Sequence, residues 1–148
     1  MSDLPPESPT LFIDRNSGGR TFRDILTNAG LRVVLHDEEF PQTAADEDWL
    51  QAVGQKGWVI ITEDKATTTS PLFLQRLSRS SASVFILMGL NGESAEGKAR
   101  CIIGLFPKIE ELISQTKPPA MWRIGKQRSV RIIDFRTILQ KMARNRRL

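Results

Sequence analysis

The regular alternation of short apolar runs with segments of helical periodicity most constrains this chain. Residues 11–13, 58–62 and 83–88 have the length and composition of buried strands. Between them, apolar residues recur at the spacing of a helix that covers one face of a sheet. Because a helix is the usual crossover between parallel strands, this alternation favours parallel pairing. The sequence predicts an α/β three-layer sandwich around a central, mainly parallel sheet of about four to five strands.

The chain of 148 residues is long enough for one hydrophobic core. Residues 1–10 contain three prolines and few apolar side chains, so they are predicted to be a flexible lead-in. Residues 11–120 are predicted to form the domain itself. Residues 121–148 are predicted to add a β-hairpin across Gly125 and a basic helix with Asp134 as its N-cap, both packed on the same domain.

Single residues also predict local features of the fold. Gly30 is predicted to end the first helix, and Pro71 to begin a later one. The polar residues 36–45 are predicted to form a loop, and Pro107 is predicted to kink or break the long helix of residues 94–116. Trp49 and Trp58 are predicted to pack between helix and sheet.

Charge is distributed unevenly along the sequence. Residues 1–120 hold 12 Lys and Arg against 16 Asp and Glu, whereas residues 121–148 hold 9 Lys and Arg against Asp134 alone. Such a basic segment is typical of phosphate binding through counterion release or of docking onto an acidic partner, and the alternative is a solvated helix face. We expect contacts with the phosphates of a nucleic-acid backbone from Arg128, Arg131, Lys141, Arg144, Arg146 and Arg147.

Composition excludes several classes of site. The chain has one cysteine, Cys101, and one histidine, His36, which rules out an internal disulfide and metal sites built from several Cys or His ligands. We interpret His36 as a hydrogen-bonded loop residue rather than a general base. No apolar run approaches the ~20 residues of a membrane helix, and the N-terminus lacks the pattern of a secretory signal, which predicts a cytoplasmic protein. Any catalysis must rest mainly on carboxylates.

Acidic residues follow the predicted strands where each strand ends. Asp14 follows the first strand, Asp64 follows the third, and Asp46 begins the helix between the second and third. Because sites in parallel sheets lie outside the carboxyl ends of the strands, these three carboxylates are expected at one edge. Carboxylate oxygens are the ligands that Mg²⁺ prefers. The pattern favours metal-assisted phosphodiester hydrolysis, although a turn role for Asp14 and a capping role for Asp46 stay open.

These motifs also carry a family resemblance. Residues 12–15 (Phe-Ile-Asp-Arg), 46–50 (Asp-Glu-Asp-Trp-Leu) and 62–65 (Thr-Glu-Asp-Lys) resemble the PIN-like ribonucleases, and among these the VapC-type toxins of toxin–antitoxin pairs. The resemblance extends from residue 11 to about residue 112. It implies an endoribonuclease dependent on Mg²⁺ or Mn²⁺, with Asp14, Asp46 and Asp64 as catalytic metal ligands. It also implies a small antitoxin partner and a homodimer.

Several neighbouring residues are candidates for supporting roles. The fourth acid that PIN domains often carry is absent from the residues after Asp64, so Glu47 or Glu63 is a candidate to substitute for it as a metal ligand. The Thr62 hydroxyl could orient a carboxylate or water. Lys65 and Arg15 could bind phosphate, or could simply balance the carboxylates beside them.

Two other functions remain open. A non-catalytic PIN-like module that binds nucleic acid or a partner is favoured by the missing fourth acid. A receiver-like phosphoacceptor domain also gathers acids at the edge of a parallel sheet. It usually carries an acid pair after the first strand, whereas Asp14 is followed by Arg15.

Overall fold

The computed structural model describes residues 8–14, 19–41, 43–90, 92–125 and 127–146, without the side chains of Asp46, Glu47, Lys65, Ala66 and Arg146. The strands are β1 (Leu11–Ile13), β2 (Val33–Leu35), β3 (Val59–Thr62), β4 (Ser83–Leu87), β5 (Ala120–Ile124) and β6 (Val130–Ile132). The helices are α1 (Gly19–Asn28), α2 (His36–Glu39), α3 (Asp46–Gln55), α4 (Pro71–Ser78), α5 (Ala95–Gln115) and α6 (Phe135–Arg146). A short 3₁₀ helix spans Lys65–Thr68 between β3 and α4.

The strands form one sheet in the order β2-β1-β3-β4-β5-β6. β1 to β5 all run parallel to one another, and β6 runs antiparallel to β5. The predicted mainly parallel α/β architecture is therefore confirmed. The hairpin of β5 and β6 is part of this sheet, because β5 pairs with β4 along its whole length, so the sheet has six strands rather than four or five. Burial of Trp122 and Ile124 in the core explains this pairing.

Side-chain alternation along the strands produces the three layers. In β1, Leu11 and Ile13 belong to the core cluster that contains Phe22 and Leu26 of α1 and Phe106 of α5. The intervening residue of β1 belongs to the opposite cluster, together with side chains of α3, α4 and α6. Successive residues of a strand point to opposite faces, so every central strand contributes to both clusters. The sheet is covered by α1 and α5 on one face and by α3, α4 and α6 on the other.

Local signals place several helix ends as predicted. Gly30, the predicted C-cap, follows α1 with a φ of +94°, which glycine adopts without steric cost. Pro71 is the first residue of α4, and the Ser70 hydroxyl accepts a hydrogen bond from Phe73 N at 3.2 Å. Asp134 caps α6 through Thr137, whose hydroxyl and backbone N–H both donate to its carboxylate. These bonds, the hydroxyl first, lower the pKa of Asp134.

Two local predictions are wrong. The segment predicted as a loop from residue 36 begins with helix α2, since the Glu38 carboxylate folds back to accept a hydrogen bond from Leu35 N at 3.1 Å. Arg23 of α1 also binds this carboxylate. Pro107 was expected to kink or break its helix, yet α5 continues through it from Ala95 to Gln115. Phe106 and Ile109 are buried on either side of the proline, and this packing holds the helix together.

The start of the described chain is anchored to the domain. Ser8, in the segment predicted as the flexible lead-in, is buried. Its hydroxyl donates to Glu110 Oε2 at 2.8 Å, and its carbonyl accepts from Arg32 Nη1 at 2.9 Å. Residues 1–7 of that predicted lead-in lie outside the described residues.

Candidate functional site

Two of the three predicted acids are joined through a threonine at the carboxyl edge of the sheet. The Thr62 hydroxyl donates to Asp14 Oδ2 at 2.8 Å, and Asp64 N donates to the same hydroxyl oxygen at 3.1 Å. β1 and β3 are adjacent and parallel, so their carboxyl ends deliver Asp14 and Asp64 side by side. The pairing of these two strands places Asp14 and Asp64 next to each other at the carboxyl edge of the sheet.

The threonine is rigidly held. It is the last residue of β3, and only 2% of its surface is exposed. Asp14 N donates to Ile61 O at 3.0 Å, which extends the backbone pairing of β1 and β3 beyond the end of β1. The two carboxylates are half-buried, so they are close to solvent while their backbone belongs to the core. Such support from rigid strands orients a functional side chain more closely than a loop would.

Asp46 is not the N-cap of its helix, so the capping role that the sequence left open is wrong. The N-cap of α3 is Ala45, and Asp46 is the first residue of the helix. Because the chain leaves the carboxyl end of β2 and enters the amino end of β3, α3 begins on the carboxyl side of the sheet. The backbone of Asp46 therefore lies on the same side as Asp14 and Asp64.

Four other predicted residues of this site lie partly or wholly outside the described residues. The side chains of Asp46, Glu47 and Lys65 are outside the described part of the chain, as is all of Arg15. Among the side chains that the structure describes, no group of three His, Cys, Asp or Glu residues is arranged to hold a metal ion. Asp14 and Asp64 fit a hard divalent cation in their chemistry, since both are carboxylates held near solvent on adjacent strand ends.

An ion pair that the sequence analysis missed lies beside these acids. Lys98 Nζ of α5 is 2.6 Å from Oε1 of Glu63, the residue between Thr62 and Asp64. Both side chains are mostly buried, with 18% and 15% of their surface exposed. This ion pair links the first turn of α5 to the end of β3. Its partners are 35 positions apart in sequence, so no local spacing signals it.

Among the described residues His36 is neither in a loop nor hydrogen-bonded, so its interpretation as a hydrogen-bonded loop residue is wrong. It begins α2, is fully buried, and has no hydrogen-bond partner on either ring nitrogen in the described part of the chain. Its ring packs among Phe12, Phe40 and Trp49. Asp37 Oδ1 lies 3.6 Å from Nδ1, beyond hydrogen-bonding distance. His36 serves as a core side chain here.

Replacing His36 with Leu is expected to raise the free energy of unfolding by about 1 kcal/mol at neutral pH. Leu has a similar volume and removes two buried polar atoms that have no partner, which is a favourable exchange. Equilibrium urea unfolding of the parent and variant measures the change. His36→Ala is the matched control, with an expected loss of about 2 kcal/mol or more from the cavity. A marked loss of stability in His36→Leu would mean that the ring nitrogens make bonds in solution.

The tryptophans predicted to pack between helix and sheet occupy that position. Trp49 of α3 is buried, and its ring stacks on Phe12 of β1 with 5.7 Å between centroids. Trp58 precedes β3 and stacks on the same phenylalanine. The Lys56 ammonium makes a cation–π contact with Trp58, 4.6 Å from the ring centroid. These rings stabilise the layer of α3 on the sheet.

The predicted RNA-binding residues are divided between the two faces of the sheet. Arg128 Nη1 lies over α5, 3.3 Å from where a Cβ would stand at Gly104. Arg131 is exposed on β6, and Lys141 and Arg144 are exposed on α6, which covers the opposite face. The side chain of Arg146 and all of Arg147 lie outside the described residues. The described residues of this set therefore do not form a single basic surface.

Across the described residues, no helix is both long and apolar enough to cross a membrane. Comparison with known proteins gives one family: the model of the PIN-like domain matches residues 9–89. No curated protein and no solved structure matches the chain. The matched region contains β1 to β4 together with Asp14, Thr62 and Asp64. Because the match extends over more than half of the sequence, this chain belongs to the PIN-like domain family.

Proposed function

We propose that the protein is an endoribonuclease dependent on Mg²⁺ or Mn²⁺ that hydrolyses RNA phosphodiester bonds. The observation that carries this proposal is the hydrogen-bonded series from Asp64 N through the Thr62 hydroxyl to the Asp14 carboxylate. The PIN-like family, whose domains are typically nucleases, supports it. The two carboxylates stand at the edge of a parallel sheet where open α/β folds bind their ligands.

In this mechanism Asp14, Asp46 and Asp64 hold the cation, with Glu47 as a further candidate ligand. A divalent ion there supplies Lewis-acid chemistry to phosphodiester hydrolysis. The chain itself supplies orientation. Thr62 orients the Asp14 carboxylate through its hydroxyl, and the Lys98 ammonium offsets the negative charge of Glu63 next to Asp64. Lys65 and Arg15 are proposed to bind the phosphate of the substrate.

We further propose that this ribonuclease is the toxin of a toxin–antitoxin pair and forms a homodimer. The support is the resemblance of residues 46–50 and 62–65 to VapC-type toxins. Induced expression in a bacterial host should stop growth for the parent chain and leave growth normal for Asp64→Asn. Co-expression of a small protein encoded beside it should restore growth. Normal growth with the parent chain would contradict the toxin assignment and leave the nuclease proposal to be tested by cleavage.

A non-catalytic PIN-like module that binds nucleic acid or a partner is the second candidate. Two observations favour it. The residues after Asp64 supply no fourth acid, and Glu63, which could have substituted for it, is paired with Lys98. This candidate predicts RNA binding without cleavage and without a metal site that depends on Asp14.

The two candidates differ in their response to metal. For the nuclease, Mn²⁺ at a hundredfold excess over Kd should stabilise the fold by about 2.7 kcal/mol, which raises Tm by roughly 5–10 °C. Differential scanning calorimetry with and without Mn²⁺ measures this shift. Ca²⁺-free buffer with a chelator gives the baseline, and Asp14→Asn should reduce the shift. Cleavage of a labelled single-stranded RNA should require the same ion. A Tm that does not respond to Mn²⁺ or Mg²⁺ would favour the non-catalytic module.

A further inference from the structure

Two arginines are held opposite each other on the hairpin of β5 and β6. Arg123 and Arg131 are register partners in the antiparallel pair, and both are exposed. Directly opposed residues project from the same face with Cβ atoms about 4.5–5.5 Å apart, and like charges in this position destabilise a sheet. Within the described part of the chain, neither guanidinium has a carboxylate oxygen within 4.0 Å. The pair therefore concentrates positive charge that no described carboxylate neutralises by direct contact.

The arginine pair borders a groove of about 350 Å³. The groove is lined by Thr68, Met88, Arg123, Arg131, Ile132 and Ile133. Met88 directly follows β4, and its N–H donates to Ile124 O at the end of β5 with a distance of 2.8 Å. The groove therefore opens at the carboxyl edge of the sheet, which is the edge that carries Asp14 and Asp64.

The groove is also close to the acids along the chain. Thr68 is the last residue of the 3₁₀ helix that begins immediately after Asp64. With a rise of about 2 Å per residue, this helix separates Thr68 from Asp64 by roughly 8 Å. A single strand of nucleic acid bound at the acids would reach the groove within one or two nucleotides.

The surroundings of the groove favour an anion with an apolar neighbour. Arg123 is two residues from Met121, which packs against the layer of α3, α4 and α6, so Arg123 projects from that face. Neither α4 nor α6 contains an acidic residue. Met88 and Ile133 line the groove and pack against the same layer, so they supply apolar surface beside the two arginines. Paired guanidiniums beside apolar side chains match a nucleotide, which joins a phosphate to a flat base.

We propose that Arg123 and Arg131 form a phosphate-binding subsite for single-stranded RNA, one or two nucleotides from the acids. This inference rests on the proposed function for its ligand but not on catalysis. Both arginines lie outside residues 9–89 that match the PIN-like family, so the C-terminal hairpin of this chain supplies the positive charge of the subsite. It would fix the register of the RNA strand relative to the carboxylates.

Binding of a fluorescent 12-nucleotide single-stranded RNA to the full chain, in chelator so that no cleavage occurs, tests the proposal by anisotropy. Arg123→Gln/Arg131→Gln should weaken binding about tenfold or more and lower the slope of log K against log salt by about 0.7–1.4. The matched control is Lys108→Gln/Lys117→Gln, which removes the same charge from exposed positions in the second half of α5 and just after it, toward the amino edge of the sheet. The control should change affinity less than twofold. Arg123→Lys/Arg131→Lys should restore most of the salt slope.

The results separate this inference from the proposed function. Equal affinities of the groove variant and the control would overturn the subsite, and so would a parent chain that binds an acidic peptide but no RNA. Loss of binding in the groove variant together with no metal-dependent cleavage by the parent would leave the subsite standing and contradict the nuclease. A DNA strand of the same sequence should lose affinity equally, because the contact is to phosphate. Thermal unfolding should give the groove variant a Tm equal to or above that of the parent, since a like-charge pair is removed.

Discussion

Asp64→Asn is expected to reduce ribonuclease activity about a thousandfold while leaving the fold intact. A metal-assisted reaction owes several kcal/mol of transition-state stabilisation to its cation, and about 4 kcal/mol corresponds to a factor of a thousand. Asn keeps the shape of Asp but removes one negative charge from the set that holds the cation. The backbone N–H of residue 64, which bonds Thr62, is unchanged by the substitution. Initial rates of cleavage of a labelled RNA in Mn²⁺ measure the effect.

The same substitution should not lower the stability of the metal-free protein. Asp14 and Asp64 stand at neighbouring strand ends, where their negative charges repel each other without a cation. The metal-free Asp64→Asn protein should therefore be at least as stable as the parent in urea. Asp24→Asn is a matched control, because this carboxylate is 62% exposed on α1 and pairs with Arg23. The control should keep full activity. If Asp64→Asn unfolds the metal-free protein and keeps the response to Mn²⁺, Asp64 is a structural acceptor and the proposed site is wrong.

Trp122→Ala is expected to cost about 3–5 kcal/mol of unfolding free energy. Trp122 of β5 is 2% exposed, and its ring stacks on Phe85 of β4 with 4.6 Å between centroids and 10° between planes. The substitution removes this stack and leaves a cavity between the sheet and the helices α1 and α5. Such a loss is a large part of the 5–15 kcal/mol that typically stabilises a domain. Urea unfolding followed by circular dichroism measures it without relying on tryptophan fluorescence.

The same experiment tests whether the C-terminal hairpin belongs to the core. Ile132→Thr on β6 is the control, because this side chain is 65% exposed and its replacement should change stability by about 0.5 kcal/mol or less. Trp122→Phe keeps an aromatic ring on Phe85 and should lose much less than Trp122→Ala. A cost below about 1 kcal/mol for Trp122→Ala would indicate that the hairpin is a separable addition to the PIN-like domain.

The local elements could be predicted from sequence because their signals are short-range. The buried run of β1 with Asp14 after it, the glycine that ends α1 and the Asp134 cap of α6 are each decided by residues a few positions apart. The helix α2 was missed because Glu38 caps it from within a segment whose composition resembles a loop. The continuity of α5 through Pro107 was missed because tertiary packing outweighed the local cost of the proline.

The sequence by itself determined which residues form strands, which acids follow them and where most helices begin and end. Only the tertiary structure decided the partners: β1 beside β3, which joins Asp14 to Asp64 through Thr62, and β5 beside β4, which brings Arg123 and Arg131 to the edge near Thr68. It also buried His36 among aromatic rings and paired Lys98 with Glu63. These contacts join residues far apart in the chain, and their formation depends on strand order and on burial summed over the whole core, which no local pattern encodes.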